Sequence, residues 1–435
     1  MNGFMIAAPA SGSGKTTVAL GLLRALKRMD VALAPVKAGP DYIDPAYHRA
    51  ASGAECFNLD PWGMRAELIS ALSSRMTEGG KLLVAEAMMG LFDGASNNKG
   101  SSADLARMLG LPVVLVVDCA RLSHSVAAIV SGFSQFRKNV LIAGVILNRV
   151  GGARHEAMLR EALAPLGIPV LGALPRDEAL LLPERHLGLV QAGEHADLER
   201  FLDHAADVME AHIDFKTLRH IWLGSQRPPA MANVPRIEPL GSRIAVARDD
   251  AFAFAYAHLF EGWHRRGVEI SFFSPLADEG PALDADAIYL PGGYPEIFAG
   301  KLAEAKRFQV GTKAAAARGV TIYGECGGYM VLGEALEDVN GVRHGMLGLL
   351  PVETSFARRK LHLGYRTLEP LEGAPWRTPL SAHEFHYASI VREGAAQRLF
   401  KVRDALEKNM GEAGQRVGSV SGSFMHIIDF NGDSA

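Results

Sequence analysis

Short apolar runs separated by stretches of helical spacing organise the first part of the chain. GFMIAA, VALAPV, KLLVAE, PVVLVVD, NVLIAGVIL and IPVLGAL, between Gly3 and about Pro175, read as strands. Several are apolar on both faces, as parallel strands covered on both sides must be. Between the first two, Lys15 to Arg28 places Val18, Leu22 and Leu26 on one helical stripe. The alternation predicts a doubly wound parallel sheet in an α/β domain. A second alternation starts at Arg243: RIAVARD, a helix from Ala253 to His264, VEISFFSP, AIYLPGG, a helix after Pro295, and VTIYGECGG. After Met346 it gives way to shorter mixed strands with many turns. The stretch from Ser225 to Gly241, SQRPPAMANVPRIEPLG, is rich in proline, has no period and reads as a linker. Two domains are expected, 1–235 and 242–435, which suits a chain of 435 residues, too long for one core.

Composition narrows the partners. Charged residues are 21% and hydrophobic residues 48%, the balance of a packed soluble protein, and the formal net charge is only -3. Without a broad positive field, neither a nucleic acid nor an anionic membrane surface is expected as partner, and small molecules are. The sequence is compatible with a homodimer. No apolar run approaches the ~20 residues of a membrane span, and no export signal opens the chain, so a cytoplasmic location is expected. Cys56, Cys119 and Cys326 show no paired spacing, and the first two suit small buried apolar positions.

The first strand runs into Ala10-Ser11-Gly12-Ser13-Gly14-Lys15-Thr16-Thr17 at the start of a helix. In such a loop the backbone N–H groups of Gly12 to Thr17 close around phosphate oxygens, Lys15 reaches the outer phosphates, and the Thr16 hydroxyl is placed for Mg²⁺. Pro9 stands where the phosphate-loop pattern has its first glycine. Glu86, at the end of the third run, is the first candidate for a carboxylate on Mg²⁺; Asp93 and Asp118 also follow strand ends, where open α/β sheets bind ligands. The loop Lys37-Ala38-Gly39-Pro40-Asp41-Tyr42-Ile43-Asp44-Pro45 could hold a substrate near the outer phosphate, with Lys37 or the metal offsetting a substrate carboxylate. Asp44 before Pro45 could equally cap a helix.

Gly324-Glu325-Cys326-Gly327-Gly328, between a strand and an apolar helix, has the form of a nucleophile elbow with sulfur in place of oxygen. The helix N-terminus is expected to lower the thiol pKa. Backbone N–H groups of Gly293, in Pro291-Gly292-Gly293-Tyr294, and of Gly327 could form an oxyanion hole. A base is required, and two contexts offer one: His383-Glu384-Phe385-His386-Tyr387 and Ser423-Phe424-Met425-His426.

Taken in order, SGSGKTT, KAGPDYIDP, EAMMGLFDG, LNRV, LPERHLGL, PGGYPE, YGECGGYM, HEFHY and GSFMHIID resemble the cobyrinic acid a,c-diamide synthase family across nearly the whole chain. The resemblance implies an N-terminal half similar to dethiobiotin synthetase and a C-terminal half similar to class I, triad-type glutamine amidotransferases. It implies ATP, with Mg²⁺, activating carboxylates that ammonia from glutamine then converts to amides, in cobalamin biosynthesis. Cys326 becomes the glutaminase nucleophile and His426 its base. Many triad enzymes place a carboxylate two residues after this histidine, but here Ile428 stands there, so a Cys-His dyad is expected. The resemblance also assigns Asp41, Tyr42, Ile43 and Asp93 to substrate handling, Thr16 and Glu86 to the metal, and Asn148 to the adenine. APASGSGKTT and PERHLGLVQAGEH look more like the branch of the family that acts on the cobalt-free acid, hydrogenobyrinic acid. Arg358-Arg359-Lys360 could face its carboxylates or simply be a solvated charge run.

Overall fold

The computed structural model describes residues 2–185, 188–224 and 234–432. His186 and Leu187 of LPERHLGL, and 225–233 of the expected linker, lie outside the described residues. Within the described part of that linker no helix or strand forms, and the chain divides there into two units, 1–62 with 66–234 and 63–65 with 235–435.

The first unit is a seven-stranded sheet. Its strands are β1 (Gly3–Ala7), β2 (Leu33–Ala38), β3 (Phe57–Leu59), β4 (Leu82–Glu86), β5 (Val113–Asp118), β6 (Ile142–Val150) and β7 (Val170–Pro175), in the order β3-β2-β4-β1-β5-β6-β7. Every pairing is parallel. β1, β2 and β4 are buried along their whole length, which is why they read as continuous apolar runs. The register sets Lys37 beside Glu86, Ile6 beside Glu86 and Asp118 beside Asn148, so the chemistry-bearing residues gather at the carboxyl ends of the strands. Helix α1 (Lys15–Arg28) follows β1, and α2 (Asp44–Ser52) follows β2. β3 is the strand absent from the expectation; it is three residues long and lies at the sheet edge.

The second unit holds a six-stranded sheet made of β8 (Arg243–Ala247), β9 (Glu269–Phe273), β10 (Ala287–Leu290), β11 (Thr321–Glu325), β16 (Gln415–Val417) and β17 (Val420–Ser423), in the order β9-β8-β10-β11-β17-β16. Its pairings are parallel except for β16 with β17. An antiparallel sheet of β12 (His362–Pro370), β13 (Leu380–His386), β14 (Phe400–Asp404), β15 (Asn409–Ala413) and β18 (Met425–Phe430) runs β15-β14-β12-β13-β18. β17 and β18 are separated by Phe424 alone, so the chain passes directly from one sheet into the other. The helix expected from Ala253 begins only at Ala257. Phe254 N instead donates to Gly292 O at 2.9 Å, and this bridge holds 253–256 out of the helix.

Candidate active sites

In the first unit the phosphate loop carries its own internal hydrogen bonds. Ser13 Oγ donates to Ala10 O at 2.8 Å and Asn148 Nδ2 to Ser13 O at 2.9 Å. Arg149 Nη1 reaches Gly12 O at 3.1 Å and Asp118 Oδ2 at 2.6 Å. Asn148 and Asp118 thus both serve the loop, one directly and one through Arg149. Thr17 Oγ1 donates to Leu180 O at 3.2 Å.

Behind the loop lies a buried ionic network. Glu86 accepts from Thr16 Oγ1 at 2.6 Å and from Lys37 Nζ at 2.9 Å on Oε1, while Oε2 meets His48 Nε2 at 2.6 Å. Lys37 also pairs with Asp44. Burial would raise the Glu86 carboxyl, but Lys37, His48 and Lys15 hold it well below the usual carboxylate range. Burial pushes the Asp44 carboxyl up to about 6, with Asp41 adding to the rise. Burial and Lys37 together lower the Lys15 ammonium. This corrects two expectations. Lys37 is not held ready for a substrate carboxylate, because two protein carboxylates already compensate it. Asp44 does not cap α2 either; Asp41 Oδ1 does, accepting from Ile43 N at 2.9 Å and Asp44 N at 3.0 Å. Tyr42 is half-buried in the same loop, and Asp93 is exposed, its Oδ2 accepting from Gly90 N at 2.9 Å.

In the second unit Cys326 sits between β11 and the six-residue helix α3 (Gly327–Leu332) with φ 47° and ψ -104°. A non-glycine residue held there is strained, as a nucleophile elbow requires. Its N–H donates to Ser423 O at 2.8 Å and fastens the elbow to β17. Two glycines make room around it. A Cβ on Gly292 would lie 2.3 Å from His426 Cε1, 3.0 Å from Nε2 and 3.2 Å from Cys326 Cβ, so the thiol-bearing residue and this imidazole flank the same point. A Cβ on Gly327 would lie 3.0 Å from Gly293 N, which brings the two candidate oxyanion donors side by side.

The other histidines are engaged differently. His386 Nε2 meets Glu384 Oε1 at 3.1 Å and Nδ1 meets Ala388 O at 3.0 Å, and its ring stacks on Phe424. His383 pairs with His426 across β13 and β18, its ring edge-on to Tyr365. Burial depresses His426 well below an ordinary histidine, with His383 and His386 adding to it, so the imidazole rests neutral and able to accept a proton. Burial pushes the Cys326 thiol up, and Glu296 reinforces the effect. The expectation of a lowered thiol pKa is therefore reversed in the resting site. A one-and-a-half-turn helix offers little compensation for complete burial, and the proton has to be removed by a base.

Sequence reasoning passed over several participants. Gly292 enters the sequence reading only within the run that carries the Gly293 N–H, and His48 has no sequence signal. Glu325 stands in the sequence only as the neighbour of the cysteine. His362, Glu384 and His386 form, among the described residues, the group whose ligand atoms lie within 4.8 Å of one another, but Glu384 is already bound by Arg366 at 2.8 Å. Arg358, Arg359 and Lys360 are exposed.

The model of the CobQ/CobB/MinD/ParA nucleotide binding domain matches residues 4–190, and that of the CobB/CobQ-like glutamine amidotransferase domain matches 243–434. Hydrogenobyrinate a,c-diamide synthase of Brucella anthropi is 78% identical over 436 aligned residues, with 100% of both chains covered. The chain belongs to the hydrogenobyrinate a,c-diamide synthase family. Relatives of the same name from a Sinorhizobium species and from Rhodobacter capsulatus are 60% and 49% identical, over 99% and 98% of this chain. As a member of the hydrogenobyrinate a,c-diamide synthase family, the chain is a carbon–nitrogen ligase that takes its nitrogen from glutamine and couples the reaction to a bound nucleotide.

Proposed function

We propose that the protein amidates the a and c acetate side chains of hydrogenobyrinic acid, using ATP and glutamine, in cobalamin biosynthesis. The observation that carries this reading is one chain holding both a phosphate loop with its buried carboxylate network and a cysteine elbow facing a neutral histidine. The full-length likeness to synthases of that name supports the substrate.

At the glutaminase site, Cys326 gives its proton to His426 and its sulfur bonds to the glutamine amide carbon. The N–H groups of Gly293 and Gly327 stabilise the oxyanion. Collapse releases ammonia with the proton returned by His426, and water then cleaves the thioester to glutamate. At the other site the loop from Gly12 to Thr17 binds the ATP phosphates, Lys15 steadies the γ-phosphoryl group, and Asn148, whose Nδ2 also donates to Ser13 O, contacts the adenine. Transfer of that group to a substrate acetate makes an acyl phosphate; ammonia displaces phosphate and leaves the amide. Asp41, Tyr42, Ile43 and Asp93 hold the corrin acid near the reacting phosphate. The hydroxyl of Thr16 and the carboxylate of Glu86 are hard oxygen donors 2.6 Å apart, which suits Mg²⁺. These two residues would hold it, and it would neutralise phosphate charge. The cobalt-containing cobyrinic acid is the alternative substrate.

The other partners are small molecules, and nucleic acid and membrane are not among them. Among the described residues no helix is long and apolar enough to cross a membrane. A cytoplasmic enzyme, compatible with a homodimer, fits the chemistry.

The test is mass-resolved amidation of hydrogenobyrinic acid by the purified protein. Two successive amidations are expected, lost in Cys326→Ala with glutamine and regained with ammonium. Turnover of cobyrinic acid alone would move the substrate, and failure with both acids would overturn the reading.

A further inference from the structure

The triad position two residues after His426 holds Ile428, whose side chain cannot orient an imidazole. Another carboxylate occupies the space beside the ring. Glu325, the residue before the nucleophile, has Oε2 3.7 Å from His426 Nδ1, and both side chains are almost completely buried. Its carboxyl is itself fixed in place. Tyr289 Oη donates to Oε2 at 2.8 Å, and Ile427 N donates to Oε1 at 3.2 Å. Tyr289 comes from β10, Ile427 from β18 and Glu325 from β11, so three strands hold one carboxyl against the Nδ1 side of the ring. The Nε2 side flanks the point where Cys326 approaches.

We infer that Glu325 is the positioning residue for His426, replacing from the nucleophile's own strand the carboxylate that triad enzymes carry after the histidine. The inference deepens the proposed glutaminase reading and rests on it. A carboxylate at Nδ1 selects the tautomer with its proton on that nitrogen, leaving Nε2 free to take the thiol proton, and offsets the charge of the imidazolium that results. The demand for such a partner is high here, because burial disfavours both the thiolate and the imidazolium. The placement also explains why a buried acid is tolerated in this core: it is hydrogen-bonded and faces a group that becomes positive during the reaction.

The inference has a pH signature. Burial pushes the Glu325 carboxyl up to about 8, against the opposing hydrogen bonds from Tyr289 and Ile427. The titratable groups facing it are Tyr289 on β10, Tyr323 on β11, His426 on β18 and the Cys326 thiol. Burial raises both tyrosines well above their ordinary values, so neither ionises in the same range. The charged form of Glu325 therefore appears as the pH rises through about 8, and glutamine hydrolysis should rise with it.

The experiment measures glutaminase kcat and KM against pH for the full-length protein and for Glu325→Gln, with ammonium-dependent amidation as a check on the fold. The expected result is a fall in kcat on the order of 100-fold with KM for glutamine within about 3-fold, and loss of the limb near pH 8. Unchanged kcat and an unchanged limb in Glu325→Gln would overturn the inference while leaving the glutaminase reading intact. Absence of glutamine hydrolysis in the unaltered protein would remove that reading itself. If Glu325→Gln also loses ammonium-dependent activity, Tyr289→Phe decides. Without the phenol's hydrogen bond the Glu325 carboxyl rises further, so the limb should move to higher pH; a limb that stays in place overturns the inference.

Discussion

The hydroxyl of Thr16 and the ammonium of Lys37 converge on a single oxygen, Oε1 of Glu86, at 2.6 and 2.9 Å. One carboxylate therefore links the phosphate loop to the buried charges behind it. Glu86→Ala removes one of the two carboxylates that compensate Lys37, leaving Asp44 alone with it, and takes away the carboxylate that His48 meets. Breaking a buried pair in this way costs about 3–5 kcal/mol. The urea midpoint of the first unit should fall accordingly, and Glu86→Gln should lose less stability but should weaken the Mg²⁺ dependence of amidation on the order of 10- to 100-fold.

Lys15 opens α1 with its ammonium at the phosphate loop. Lys15→Ala should lower amidation by about 100-fold or more with either nitrogen source, since the lost charge stabilises the transferring phosphoryl group. Glutamine hydrolysis should continue. Parallel assays of glutamate and of amidated product check this.

Gly292 has no room for a methyl group beside His426. Gly292→Ala should displace the imidazole and abolish most glutamine hydrolysis, with an overpacking cost of about 1–3 kcal/mol. Ammonium-dependent amidation should survive, and a thermal melt of the variant reads the stability change.

Glu384 gives the acid limb of stability. Burial alone would raise its carboxyl, but His386 and Arg366 lower it to about 2 from an ordinary 4.5. The unfolded chain therefore binds the proton first as pH falls. The stabilisation is complete above about 4.5 and disappears as the pH drops toward about 2, a contribution on the order of 3 kcal/mol. Denaturation at a series of pH values should show this slope, and Glu384→Gln should flatten it.

Much of this was readable from the chain because backbone chemistry is local. β1 runs into SGSGKTT and then α1, and β11 runs into Cys326 and then α3, within a few residues each, so apolar period and glycine spacing suffice. The rest depends on partners far apart in sequence. Glu86 lies 49 residues from Lys37 and 70 from Thr16, and nothing at position 37 or 44 announces that each will be neutralised. The start of the helix at Ala257 was hidden because a tertiary hydrogen bond from Phe254 overrides local helical preference. β3 is not legible in the sequence because Phe57-Asn58-Leu59 is too short to show a period. Glu325 stands before the cysteine, far in sequence from the histidine, and only the folded chain brings its Oε2 to 3.7 Å from His426 Nδ1.

The burial that keeps the Cys326 sulfur protonated has a consequence for chemical durability. Peroxide and electrophiles attack the thiolate, and attack requires access. Buried and protonated, this sulfur offers neither charge nor exposure, so the thiol is passivated toward oxidants.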